Sequence, residues 1–417
     1  MNYSVQNQEN PTNVVFLKIN LPSSKSEANR LLIIQALSGH KDFVINNLST
    51  ARDTVTLKKL LAQTKTLSSY NVLDAGTAMR FLTAYLATTT QAPVLLTGTD
   101  RMQKRPIGTL VDALCSIGGN ISYEREQGYP PLKINSLATQ TNNQISIKGN
   151  ISSQYISALL MVAPYLPKGL IINIVEPIYS QPYIDMTVSL MQQAGIMIKK
   201  SGHTYSITHQ SYKPFTFDVE SDWSGASYWF SFIALSRVGK QLYLKGLRKE
   251  SFQGDQAIVG IMKKLGVRTV YDEKGILLEK IADKDPRKLS IDFREFPDLA
   301  QTIVVCCAAL RINLEMTGLE SLRIKETDRI AALDQELTQF NCRLKESSAG
   351  AWELASDGFR FPKIATINTY DDHRMAMSFM PLSLIGSLTI MDIEVVNKSY
   401  PTFWTDCSLA GLQLLEQ

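Results

Sequence analysis

Residues 107–124, IGTLVDALCSIGGNISYE, carry the pattern on which the fold turns. Apolar residues recur at helical spacing as far as Ile117, a Gly-Gly pair breaks the run, and a short β-prone stretch follows at once. The same device returns in YIDMTVSLMQQAG before IMIKK (183–200), in DQAIVGIMKKLG before VRTVYDE (255–273) and in ETDRIAALDQELTQFN before CRLKE (326–346). The turn residues Gly118, Gly195, Gly266 and Asn341 are 77, 71 and 75 residues apart, and 76 more lead from Asn341 to the chain end. TFWTDCSLAGLQLLEQ (402–417) suggests another such unit, and TARDTVTLKKLLAQTK (50–65) a first one that turns near Lys65.

So regular a period signals internal repetition, with six units averaging about 70 residues in an α/β chain of 417. The step from Lys65 to Gly118 is only about 53 residues, so the first unit lacks roughly twenty residues that the others have. Three units on each side of a midpoint imply two similar domains, meeting near residue 220 where VESDWSGAS (219–227) separates two strand-helix regions. Two-domain enzymes commonly bind their substrate between the halves.

Composition narrows the function. At 44% hydrophobic and 20% charged residues, the chain is neither disordered, nor collagen-like, nor a coiled coil. The 43 Lys+Arg against 39 Asp+Glu give a net charge of +4 with no long block of one sign, which argues against nucleic acid or a membrane surface and leaves a small anionic substrate open. Five cysteines without a CxxC, two of them adjacent at Cys306-Cys307 in an apolar run, read as buried thiols of a reducing compartment, the cytoplasm. The polar start MNYSVQNQENPTN has no secretory-signal pattern, and no apolar run reaches the roughly 18 residues of a membrane span. Four histidines without HxH or HExxH spacing leave no visible zinc site, so chemistry without a protein-held metal is expected.

Polar and cationic groups gather where apolar helices begin. LPSSKSEANRLLIIQAL (21–37) places Ser24, Lys25, Ser26 and Arg30 at a helix start, where free N–H groups, hydroxyls and cations suit a phosphate or carboxylate. LDAGTAMRFLTAYLA (73–87) offers Ala75-Gly76-Thr77, whose main chain a ligand can approach closely, with Arg80 in the next turn. TGTDRMQKRPIG (97–108) sets Arg101, Lys104 and Arg105 before Pro106, a plausible first helical residue. Ser152, Ser153 and Gln154 open another apolar helix, and Ser180, Tyr183 and Asp185 the next element.

The second half adds charge. Lys325 and Arg329 are four apart, so on a helix they share a face, with Glu326 in reach of Arg329. Asp298 stands at the entrance to an apolar helix as a possible N-cap, Asp372, His373 and Arg374 hold the same place in TYDDHRMAMSFMPLSL, and Lys398 precedes the last helix. Capping and surface ion pairs account for each of these singly. Together, Lys25, Arg30, Arg105, Lys325, Arg329, Arg374 and Lys398 suit a strongly anionic ligand pair, with Asp298 and Glu326 as acid and base candidates.

Nine motifs in order, LPSSKSEANR, LDAGTAMR, RMQKRPIG, NISSQYISALL, SQPYIDMT, FPDLAQT, RIKETDR, DDHRMAM and the late Lys398, resemble the EPSP synthase (3-phosphoshikimate 1-carboxyvinyltransferase) family of enolpyruvyl transferases from about residue 21 to 403. The resemblance implies a two-domain inside-out α/β barrel, each domain of three βαβαββ-type repeats with pseudo-threefold symmetry. Residues 23–221 would form the first domain, residues 1–22 plus 222–417 the second, with the active site in the cleft between them. The implied reaction transfers the carboxyvinyl group of phosphoenolpyruvate to the 5-hydroxyl of shikimate 3-phosphate and releases phosphate, in a cytoplasmic monomer that needs no cofactor. The two substrates carry roughly five to six negative charges together, which the cations answer.

By matching position, shikimate 3-phosphate would be held by Lys25, Ser26, Arg30, Ser152, Ser153, Gln154, Ser180, Tyr183, Asp298, Ser321 and Lys325. Phosphoenolpyruvate would be held by Lys25, Gly76, Arg105, Gln154, Arg329, His373, Arg374 and Lys398. The resemblance makes Glu326 the proton donor to carbon and Asp298 the acceptor from the hydroxyl, with Lys25 sharing in these transfers. The chain departs from the family in having Asp74 and Ser321 where asparagine is frequent, Phe81 where proline is usual, and a gap between Arg30 and Asp74 that removes a hairpin. Phe81 behind the AGTAMR turn is expected to alter inhibition by glyphosate, which occupies the phosphoenolpyruvate pocket in the family.

Two alternatives stand beside this reading. The sister enzyme that uses UDP-N-acetylglucosamine resembles this one but carries a cysteine or aspartate in the loop before its Arg-Pro; here that loop is DRMQKRPI, and Cys115 lies beyond it as expected core. A non-catalytic anion-binding protein of the same fold is expected to have lost Asp298 or Glu326, and both are present.

Overall fold

The computed structural model describes residues 1–7, 17–63, 67–283 and 286–417. The expected turn near Lys65 lies outside the described residues. The chain divides into two compact units, one of Ser23–Val219 and one of Met1–Pro22 with Glu220–Gln417. Each is a mixed α/β structure whose described helices come in pairs, one pair to each sheet.

In Ser23–Val219 the helices are α1 (Lys25–Ser38), α2 (Arg52–Ala62), α3 (Gly76–Thr89), α4 (Gly108–Ser116), α5 (Ser153–Val162) and α6 (Gln181–Gln193). Strand Ser69–Asn71, α3, strand Val94–Thr97, α4 and the hairpin Asn120–Tyr123/Leu132–Asn135 form one βαβαββ repeat. Its first two strands pair in parallel, as a helical crossover allows, and the last strand inserts antiparallel between the second and third. Residues 144–207 repeat this order around α5 and α6. The remaining sheet keeps just the parallel pair Val44–Asn46 and Thr216–Asp218. Among the described residues, then, the short first repeat lacks the hairpin that completes the other two.

In the other unit the helices are α7 (Trp223–Leu235), α8 (Ile258–Lys264), α9 (Ala300–Ala309), α10 (Arg329–Thr338), α11 (His373–Phe379) and α12 (Phe403–Leu409). Three four-stranded sheets repeat the same strand order. Two of them borrow from the chain start: Leu17–Asn20 pairs in parallel with Gln241–Lys245, and Tyr3–Asn7 lies between Leu388–Ile390 and Leu412–Glu416.

The turn residues read from the sequence all adopt left-handed backbone, with φ of 107° at Gly118, 83° at Gly195, 82° at Gly266 and 59° at Asn341. Sterics also enforce glycine at two of these: a Cβ would come within 2.3 Å of the Thr139 carbonyl at Gly118 and 2.0 Å of the Ala282 carbonyl at Gly266.

The odd-numbered helices are the buried ones. α7 packs Trp223, Trp229, Phe230 and Phe232 into one core, and α3 packs Met79, Phe81, Leu82 and Leu86 into the other. Helices apolar all round are stable only inside a protein, which is why these runs lack the clean stripe of α2, α4 and α10. The Trp229 indole donates to the Tyr400 hydroxyl at 3.2 Å, so its polar edge is satisfied. Lys280, also buried, donates to the carbonyls of Ala234 at 2.8 Å and Leu265 at 3.2 Å, at the C-terminal ends of α7 and α8.

Cys306, Cys307, Cys342 and Cys407 are buried free thiols. Cys115, expected in the core, is exposed instead, because α4 buries Leu110, Val111, Ala113 and Leu114 and turns position 115 outward. Among the described residues no helix is long and apolar enough to cross a membrane.

Candidate active site

In the Ser23–Val219 unit, Ser24 caps α1 by accepting from the Glu27 N–H at 3.4 Å, and Lys25 is the first helical residue. Its Nζ lies 3.1 Å from Oδ2 of Asp53, a buried carboxylate in the first turn of α2. One turn along, the Arg30 guanidinium donates to the Thr187 hydroxyl at 2.7 Å, the Ser26 carbonyl at 2.9 Å, the Ser157 hydroxyl at 3.1 Å and the Tyr183 carbonyl at 3.2 Å. Ser180 precedes α6 with a left-handed φ of 57° and is buried.

α3 begins at Gly76, against which the Arg105 side chain packs. A Cβ at Gly76 would lie 2.6 Å from Nη1 of Arg105, so the glycine lets that guanidinium rest on the main chain. Arg80 donates to the carbonyls of Gly76 and Pro106, each at 3.1 Å, and the Tyr155 hydroxyl reaches Pro106 at 2.6 Å. These bonds fasten the loop that presents Arg105 to α3 and α5. Pro106 thus anchors the loop, and α4 starts two residues later, at Gly108. Gln154 joins the group through its side-chain amide, 3.1 Å from the Thr77 hydroxyl, while Ser152 caps α5 by accepting from the Gln154 N–H and Ser153 is the first helical residue. Asp185 is exposed, beside Gln181 and Lys200, and takes no part.

In the other unit the hub is Arg329. Its Nε, Nη1 and Nη2 meet Asp372 at 2.7 Å, Asp298 at 2.9 Å and Glu326 at 2.9 Å. Lys325 stands 4.0 Å from Asp298, Arg374 2.9 Å from its other oxygen, and Lys398 3.4 Å from Glu326. Arg374 also donates to the Asp298 carbonyl at 3.2 Å and to Tyr228 at 3.3 Å. His373 is the buried first residue of α11, its Nδ1 3.7 Å from Asp372, and the buried Ser321 hydroxyl has no hydrogen-bond partner among the described residues.

Two local expectations change. Asp298 caps nothing: it lies in a 3₁₀ turn, Pro297–Leu299, and spends its oxygens on arginines. Lys325 and Arg329 do not share a helix, because Asp328 caps α10 and Arg329 is its first residue. The Glu326–Arg329 pair survives through a turn, and at 2% exposure Arg329 belongs to the interior, not to a wet surface.

The electrostatics separate two neighbouring carboxyls. Burial pushes Asp298 up, but the cations Arg374, Lys325 and Arg329 outweigh it and hold the group well below the usual carboxylate range. Asp255, buried against the Ser224 hydroxyl, is raised to about 7 by burial and by the charge of Asp298, with Arg374 opposing. Arg329 loses to burial but gains more from Asp372, Glu326 and Asp298, so its guanidinium stays protonated.

Asp53, Ser157, Thr187, Ser224 and Asp255 are absent from the sequence reading, and Thr77 entered it only for its main chain. Each acts on a site residue far along the chain, as Thr187 does on Arg30 across 157 positions, and no local motif announces such a partner.

A family model described as EPSP synthase (3-phosphoshikimate 1-carboxyvinyltransferase) matches residues 63–407. A 3-phosphoshikimate 1-carboxyvinyltransferase of Bacteroides fragilis is 45% identical over 397 residues, spanning 94% of this chain and 95% of its own. One from Methanospirillum hungatei is 33% identical over 413 residues, 92% of this chain and 94% of its own. The solved structure of an Acinetobacter baumannii EPSP synthase superposes over 100% of both chains with a TM-score of 0.78 at 20% identity, a likeness of fold.

Proposed function

The chain belongs to the EPSP synthase family, and from that premise we propose its reaction: transfer of the carboxyvinyl group of phosphoenolpyruvate to the 5-hydroxyl of shikimate 3-phosphate, with release of phosphate. The observation that carries the chemistry is the buried set in which Asp298 and Glu326 share Arg329, flanked by Arg374, Lys325 and Lys398. A metabolic enzyme handling two polyanions needs such a concentration of desolvated cations.

On this reading, Lys25, Ser26, Arg30, Ser152, Ser153, Gln154, Ser180, Tyr183, Ser321 and Lys325 hold shikimate 3-phosphate, with Asp298 on its hydroxyls. Lys25, Gly76, Arg105, Gln154, Arg329, His373, Arg374 and Lys398 hold phosphoenolpyruvate. Each unit is assigned the pseudo-threefold, inside-out arrangement of the family, and the enzyme is assigned as a cytoplasmic monomer working without a metal or cofactor.

The proton economy follows from the charges. Asp298 is ionised, as an acceptor must be, but its three cations make it a weak base. Phosphate and carboxylate groups arriving at Arg329 and Arg374 compete for those cations, which raises the basicity of Asp298 when the hydroxyl proton has to leave. Glu326 delivers a proton to the methylene carbon during addition and recovers one as phosphate departs. The proton that Asp298 takes from the hydroxyl passes to the departing phosphate, Lys398, 3.4 Å from Glu326, holds that carboxyl in place, and Lys25 shares in the transfers. The arginines take up the charge that moves onto the leaving phosphate.

The UDP-N-acetylglucosamine alternative is not favoured, since the relatives at 45% and 33% identity are both named for shikimate 3-phosphate. The test is phosphate release from phosphoenolpyruvate by the purified protein with either acceptor. Release with shikimate 3-phosphate alone is expected; release with UDP-N-acetylglucosamine, or with neither, overturns the assignment.

A further inference from the structure

Arg30 differs in kind from the cations around Asp298. Arg329 faces three carboxylates, Arg374 and Lys325 face Asp298, and Lys398 faces Glu326. Arg30 is just as deeply buried, at 2% exposure, yet forms no ion pair among the described residues. Its four hydrogen bonds go to two hydroxyls and two carbonyls, all neutral. Desolvation pulls the guanidinium down to about 10, and Tyr183 and Glu27 only partly offset it.

Two aromatic rings lie against this cation. The guanidinium carbon lies 5.5 Å from the ring centroid of Phe81 and 5.9 Å from that of Tyr183. Both distances fall within the range where a ring's negative face attracts a cation, and the attraction grows when the pair is dry. Phe81 is wholly buried, directly after Arg80 on α3, so its ring cannot turn away to solvent. The hydroxyls of Ser157 and Thr187, 2.8 Å apart, fix the guanidinium in its own plane.

We propose that Phe81 is a positioning residue for substrate binding. Its ring, together with that of Tyr183, keeps the Arg30 guanidinium oriented and outside any ion pair among the described residues, so that its charge is delivered to an anionic group of shikimate 3-phosphate. A carboxylate in that place would compete with the substrate, and an aliphatic or proline side chain would offer no charged face. The inference rests on the reaction proposed above and adds a residue that touches neither substrate.

The test is steady-state kinetics of Phe81→Leu and Phe81→Met, which retain apolar bulk but remove the ring. The KM for shikimate 3-phosphate should rise about five-fold, the scale of one lost cation–π contact, while kcat and the KM for phosphoenolpyruvate stay within about two-fold. Titration calorimetry with shikimate 3-phosphate should show binding weakened in step, in variants that remain folded by circular dichroism. In an Arg30→Lys background, Phe81→Leu should add nothing, because the group through which it acts is already altered. Equal losses for both substrates, full additivity with Arg30→Lys, or an unchanged KM in either variant overturns the proposal while leaving the reaction standing. A wild-type protein that neither binds nor turns over shikimate 3-phosphate overturns both.

Discussion

Asp372 binds Arg329 and the start of α11 at once: one oxygen accepts from the Arg329 Nε at 2.7 Å, the other from the Arg374 N–H at 2.8 Å. A single carboxylate therefore fixes both the hub guanidinium and the helix that carries Arg374. Asp372→Asn keeps the cap but removes the charge, and is expected to lower kcat/KM by about ten- to a hundred-fold. Asp372→Ala should cost more and also lower the Tm, since the cap is lost too. Kinetics and thermal melts of the pair separate the two effects.

Gly76→Ala should displace Arg105, whose guanidinium occupies the space of the new methyl group. The KM for phosphoenolpyruvate is expected to rise about ten-fold, as for one disturbed charge-assisted hydrogen bond, with that for shikimate 3-phosphate nearly unchanged. Measuring both constants in one variant checks this.

Asp53→Asn should release Lys25 from its buried partner. Since the proposed reaction assigns Lys25 to both substrates and to proton transfer, kcat should fall by about ten-fold or more with smaller changes in either KM. An unchanged kcat in a folded variant would show that Lys25 needs no such anchor.

Asp255 predicts a pH dependence of stability. Its carboxyl is raised from 3.8 to about 7, so between those values the unfolded chain has released a proton that the folded one keeps. Stability from this group is complete below the lower value and is lost as pH rises toward the upper one. Glu220, raised mainly by burial, acts in the same direction. Melting curves from pH 5 to 8 should therefore fall less steeply for Asp255→Asn than for the wild type.

Lys280→Met should destabilise without touching catalysis. The variant leaves the Ala234 and Leu265 carbonyls, now bonded to the ammonium, without that donor in a dry core. The expected loss is about 1–3 kcal/mol in urea unfolding, with kcat and both KM values unchanged.

The repeat was legible because its punctuation is chemical: a left-handed backbone after an amphipathic helix demands glycine or asparagine, and Gly118, Gly195, Gly266 and Asn341 meet that demand in turn. The buried helices α3, α7 and α9 were harder, because a helix apolar all round has no stripe to reveal its period. Site residues could be read where they open a helix, as at Lys25, Gly76 and Arg374. Their supports could not: Asp53, Thr187 and Asp255 are ordinary in their own neighbourhoods and gain meaning only through contacts that the fold closes over long stretches of chain. The same limit explains Asp298, where a carboxylate before a helix looks like a cap until two arginines arrive from elsewhere.

The strand Tyr3–Asn7 cannot be completed until Leu412–Glu416, far along the chain, is present to pair with it. The unit of Met1–Pro22 and Glu220–Gln417 must therefore wait for chain made after all of Ser23–Val219, whose own sequence is continuous. The Gln417 N–H meets the Asn2 carbonyl at 3.1 Å, so beginning and end are already neighbours. A gene encoding residues 203–417, a short linker and residues 1–201, opened at the exposed turn of Gly202, would carry that unit as one uninterrupted stretch and let its strands follow one another directly.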